Sequence, residues 1–168
     1  AVPLSWADAA GQDALLARAA AAADAAVRGG RTGIALDLVA DSPRHAVTWA
    51  GYDVDAAPPD VLESNARRFG RRLRQSIDAH AASADRPLDI LCIEADAEAT
   101  GVLWYAFFEG LVDGAPSVRR PVHLITQATL NAADPLGFTQ AAAELRRRLR
   151  WHSRLDDAVH DAVRIGMS

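Results

Sequence analysis

A short apolar run that ends in two carboxylates constrains the fold of this chain more than any other segment. It reads Leu88-Asp89-Ile90-Leu91-Cys92-Ile93-Glu94-Ala95-Asp96, and its length and composition are typical of a buried β-strand. In open α/β sheets, functional groups gather at the carboxyl ends of the strands. The run therefore predicts an α/β protein with acidic groups at one edge of its sheet.

Length and composition predict a single domain over residues 1–168. A chain of this size can bury its own core, and the lone Cys92 lies in the apolar run, where a thiol is typically a small core residue. No apolar stretch reaches the length of a membrane span, and the first residues do not show the basic segment and apolar core typical of a secretory leader. We therefore expect a cytoplasmic protein that makes no membrane contact.

The basic residues are unusual because all 18 are arginines, while the net charge is −4. An acidic chain is not a general nucleic-acid coat, since phosphate binding needs local positive charge. The arginines are nevertheless clustered on two predicted helices: Arg67, Arg68, Arg71, Arg72 and Arg74 on one, and Arg146, Arg147, Arg148, Arg150 and Arg154 on the other. Such clusters indicate either a solvated helix face or a surface that follows phosphates.

The first part of the chain predicts a helix followed by a hairpin. Alanine-rich sequence from Ser5 to Arg28 favours a helix that ends at Gly29-Gly30, so residues 1–30 form an N-terminal helical extension. The alternating pattern of Thr32 to Ala40 predicts a strand. After the turn residues Asp41-Ser42-Pro43, residues 46–52 predict a second strand that returns antiparallel to the first.

The rest of the chain predicts helices and strands in alternation. A helix begins near Pro59, the Leu88 to Glu94 strand follows, and Gly101 to Leu111 predicts a buried helix. Pro121 to Leu130 predicts a strand, and from Pro135 helix-favouring sequence continues nearly to the end. This order predicts an α/β fold with a mixed sheet, an antiparallel hairpin at its start and helices on both faces. RNase H-like and Rossmann-like sandwiches both fit it.

Carboxylates at the predicted strand ends and on the last helix are the candidate catalytic groups. Asp37 lies in an otherwise apolar strand, and Glu94 and Asp96 follow the third strand. Asp157 and Asp161 are four residues apart, so they share one face of a helix. Clustered carboxylates repel each other unless a cation neutralises them. Magnesium or manganese suits such hard oxygen ligands.

Three segments resemble the RuvC-type Holliday-junction resolvases of the RNase H-like superfamily. They are Gly33-Ile34-Ala35-Leu36-Asp37-Leu38, Asp89-Ile90-Leu91-Cys92-Ile93-Glu94, and the stretch from Leu155 to Gly166. The resemblance implies a metal-dependent nuclease that cleaves branched DNA with two metal ions. It further implies that the metal ions are held by Asp37, Glu94 and Asp161, with Asp157 or His160 as the fourth group, and that phosphates are contacted by Arg67, Arg71, Arg74, Arg147 and Arg150.

Two other classes of function fit the same residues. The chain could be a non-catalytic α/β domain that binds another protein or forms a homodimer, through the N-terminal helix or the aromatic segment around Trp104. On this interpretation the acids pair with arginines or cap helices. The third class is a small-molecule enzyme that uses Asp96 or His123 as an acid or base in a cleft at the strand ends.

Overall fold

The computed structural model describes nine parts of the chain, namely residues 9–36, 57–82, 88–94, 102–113, 122–126, 139–140, 143, 146–147 and 164–167. These parts contain the following elements in chain order: α1 (Ala9–Arg28), β1 (Gly33–Leu36), α2 (Pro59–Ala82), β2 (Asp89–Glu94), α3 (Val102–Asp113), β3 (Val122–Thr126) and β4 (Arg164–Met167). Residues 139–140, 143 and 146–147 are helical as well.

The four strands form one sheet in the order β1-β2-β3-β4, and every described pairing is parallel. The predicted mixed sheet that begins with an antiparallel hairpin is therefore wrong, because β1 pairs parallel with β2, Gly33 opposite Asp89 and Leu36 opposite Cys92. Residues 46–52, the expected second strand of the hairpin, lie outside the described residues. Parallel strands need a long crossover, and the 24-residue helix α2 provides it.

Helices α1, α2 and α3 form one layer, whereas the sequence predicted helices on both faces of the sheet. Helix α2 contacts both α1 and α3. Ion pairs show that all three run in the same direction: Asp13 and Asp24 of α1 reach Arg72 and His80 of α2, while Arg67 and Arg71 of α2 reach Glu109 and Asp113 of α3. Since parallel crossovers are right-handed, strands added successively in one direction place their helices on the same face.

Helix α1 confirms the predicted N-terminal helix and ends where the two glycines stand. The amide of Arg31 donates to the carbonyl of Ala26 at 2.8 Å, and that of Gly30 to the carbonyl of Val27 at 3.1 Å. Gly30 has a φ of 67°, a left-handed conformation that glycine adopts without a steric penalty. These features define a Schellman cap, which satisfies the last carbonyls and stops the helix.

Helix α3 is the buried helix that the sequence predicted, and its residues from Tyr105 to Val112 are all buried. It crosses α2 with almost no space between the two backbones. A Cβ atom on Gly70 would lie 2.1 Å from the carbonyl oxygen of Phe107, and one on Gly110 would lie 2.0 Å from that of Arg67. Only glycine permits this approach, so the two glycines fix where the helices cross.

The last strand differs from its prediction. Sequence reasoning continued a helix nearly to the end of the chain, but Arg164–Met167 forms β4, which runs parallel to β3 with His123 opposite Arg164. That part of the prediction is wrong. A strand of four residues contains only two alternations of side-chain direction, too few to outweigh the helix-favouring residues that precede it.

Candidate functional site

The carboxyl ends of the strands meet at one edge of the sheet, as expected for parallel pairing. Glu94 is the last residue of β2 and lies opposite Thr126, the last residue of β3, which in turn lies opposite Met167 of β4. The backbone of Glu94 is therefore at the edge where the sequence placed its acidic site. The other predicted metal ligands, Asp37, Asp157 and Asp161, lie outside the described residues, as do Asp96 and His160.

Magnesium or manganese binding stays a prediction. Within the described ranges, no group of histidine, cysteine or carboxylate side chains is arranged to hold a metal ion. Glu94 is the one predicted ligand inside those ranges.

The arginines of α2, predicted to contact phosphates, bind carboxylates of this chain. Arg67 lies between two glutamates: its Nη2 is 2.7 Å from Oε1 of Glu63, and its Nε is 3.1 Å from Oε2 of Glu109 on α3. Burial lowers the pKa of Arg67, but the hydrogen bonds that it donates to both glutamates and the attraction of their charges outweigh burial and raise that pKa above its ordinary value. Arg71, one turn later, pairs through Nη2 with Oδ2 of Asp113.

The opposite flank of α2 binds α1 in the same manner. Arg72 Nη2 lies 2.8 Å from Oδ1 of Asp13, and His80 Nδ1 lies 2.8 Å from Oδ1 of Asp24. All four side chains are more than a third exposed, between 38% and 61%. Ion pairs this exposed are weak, about 0–1 kcal/mol each, so they orient α1 more than they stabilise it.

Arg74 is fully buried, with an exposed fraction of 0%. Its Nε donates a hydrogen bond of 2.8 Å to Oδ2 of Asp78, one turn further along α2. Its Nη1 and Nη2 atoms have no hydrogen-bond partner among the described residues. A phosphate contact requires an accessible guanidinium, and the structure places that of Arg74 in the interior of the helix layer. Arg147 is exposed, and Arg150 lies outside the described residues.

Sequence reasoning did not identify the carboxylates that bind these arginines, although both sets of residues share the same four-residue spacing. Arg67 and Arg71 are four residues apart on α2, and their partners Glu109 and Asp113 are four apart on α3. Glu109 also lies in an otherwise apolar helix, and a buried carboxylate needs a charged partner. Small residues four apart, Ala66 and Gly70 on one helix and Ala106 and Gly110 on the other, mark the same crossing.

The two proposed protein-binding segments differ in accessibility. In the aromatic segment on α3, the eight residues from Tyr105 to Val112 are buried, while the side chain of Trp104 lies outside what the structure describes. Helix α1 buries Leu16, Ala23 and Ala26 against the rest of the domain. Its outer face consists mainly of exposed alanines, at positions 10, 14, 17, 21 and 25. Among the described residues of these two segments, the continuous exposed surface is therefore that of α1.

Comparison with known protein families, with curated proteins and with solved structures finds no match to this chain. Across the described residues, no helix is both long enough and apolar enough to span a bilayer.

Proposed function

We propose that the chain is a non-catalytic α/β domain that works by binding another protein chain. One observation carries this proposal: Arg67, Arg71 and Arg72 of α2 all pair with carboxylates of the neighbouring helices. Carboxylate and phosphate oxygens accept hydrogen bonds from the same guanidinium N–H groups. A helix whose arginines already bind carboxylates is thus poorly suited to follow phosphates, and its charges serve to align three helices in one layer.

The partner that we propose is a second copy of the chain, bound through α1. This helix contacts α2 on one side and exposes its alanines on the other. Its exposed charged residues are Asp13, which pairs with Arg72 of α2, and the arginines Arg18 and Arg28. Two α1 helices that pack in opposite directions about a two-fold axis bring their exposed alanine faces together, and the small side chains allow close contact between the helices. Two-fold dimers are the commonest soluble oligomers.

Charge placed on the alanine face of α1 tests the proposal. We expect light scattering after size exclusion to give the mass of a dimer for the wild type and of a monomer for the double variant Ala17→Glu, Ala21→Glu. Glutamate is a good helix former, so circular dichroism and the melting temperature should hardly change. The matched control is Ser64→Glu with Gln75→Glu, on the exposed face of α2, and it should remain a dimer. A monomeric wild type, or an α1 variant that stays dimeric, would overturn the proposal.

A second candidate function is metal-dependent hydrolysis of branched DNA. It is favoured by the position of Glu94 at the end of β2, on the edge where the carboxyl ends of the parallel strands lie. This function predicts cleavage of a branched DNA substrate in the presence of Mg²⁺ or Mn²⁺, and loss of cleavage in Glu94→Gln. Asp89→Asn is the matched control, because Asp89 is an exposed carboxylate at the opposite end of the same strand. If the chain is instead a non-catalytic domain that forms dimers, the wild type and both variants should all fail to cleave DNA.

A further inference from the structure

We draw no further inference here: the strongest candidate outside the α1 face, the fully buried guanidinium of Arg74 in the α2 side of the helix layer, carries nothing because no feature in the part of the chain that the structure describes shows what it would bind besides Asp78.

Discussion

Helix α2 forms interfaces with α3 and with α1, and both contain arginine–carboxylate ion pairs that differ in their exposure to solvent. Towards α3, the helix axes approach so closely that Gly70 and Gly110 are required, and the Arg67–Glu109 pair there is only 19% and 8% exposed. Towards α1, the Arg72–Asp13 pair is 46% and 61% exposed. We therefore expect the two interfaces to differ in stability because their ion pairs differ in burial, and not because they differ in the number of charges.

Most side chains at the α2–α3 interface are buried like those of a protein core, while the charged side chains at the α1–α2 interface are largely exposed to solvent. Phe69 and Phe107 stack across the first, with ring centroids 5.9 Å apart, which adds about 0.5–1.5 kcal/mol beyond the apolar area buried. Helix α1 buries only four side chains, two of which are alanines: Gln12, Leu16, Ala23 and Ala26. We expect substitutions in the first interface to unfold the domain, and substitutions in the second to change the docking of α1 only slightly.

The largest loss of stability is expected from Asp78→Ala. The change leaves the guanidinium of Arg74 buried without its carboxylate, and removing one partner of a buried pair costs about 3–5 kcal/mol. Urea unfolding measures the loss. The double variant Arg74→Met, Asp78→Leu removes both charges and should recover most of the stability, because apolar residues of similar volume replace a buried ion pair at little cost. A double variant as unstable as Asp78→Ala would show that shape, and not charge, explains the loss.

Gly110→Ala should have the next largest effect. Its Cβ would lie 2.0 Å from the carbonyl oxygen of Arg67, so the two helices must separate, at a cost of about 1–3 kcal/mol. Alanine favours a helix over glycine by about 1 kcal/mol. A net loss in the free energy of unfolding must therefore come from the steric conflict. The control is Gly11→Ala in α1, outside the glycine crossing, which should keep or raise the melting temperature. Equal effects of the two substitutions would contradict the close crossing.

The smallest effect is expected from Asp13→Asn at the α1–α2 interface. Its pair with Arg72 is exposed on both sides, so the loss should not exceed about 0.5 kcal/mol and should shrink further in high salt. Unfolding in urea at low and high ionic strength checks this expectation. A loss as large as that of Asp78→Ala would mean that the two interfaces of α2 do not differ as described.

The elements that the sequence predicted well are those with strong local signals. Gly30 stops α1 because a cap needs a left-handed residue at that point, and the apolar run around Ile90 forms a central strand with parallel neighbours on both sides. The prediction of a buried α3 also holds, because the apolar residues from Val102 to Phe108 surround the helix and leave it no polar face there.

The elements that the sequence predicted poorly depend on contacts between distant segments. The pairing of β1 with β2 joins segments separated by α2, and no local pattern indicates it, whereas the residues Asp41-Ser42-Pro43 favoured a local hairpin instead. The arginine cluster on α2 likewise indicated a phosphate surface until Glu109 and Asp113 of α3 were placed beside it. Of the predicted acidic site, only the strand end at Glu94 lies within the described residues.

The central claim, that the arginines of α2 serve the helix layer, is tested most directly by a double-mutant cycle between α2 and α3. The variants are Arg67→Met, Glu109→Gln and the two combined, with the free energy of unfolding measured for each by urea denaturation. Because this pair is largely buried, the account predicts a coupling energy of about 1 kcal/mol or more, within the range of contacting charges. Additivity within about 0.3–0.5 kcal/mol would mean that the two side chains do not interact in the folded protein, and would contradict the account.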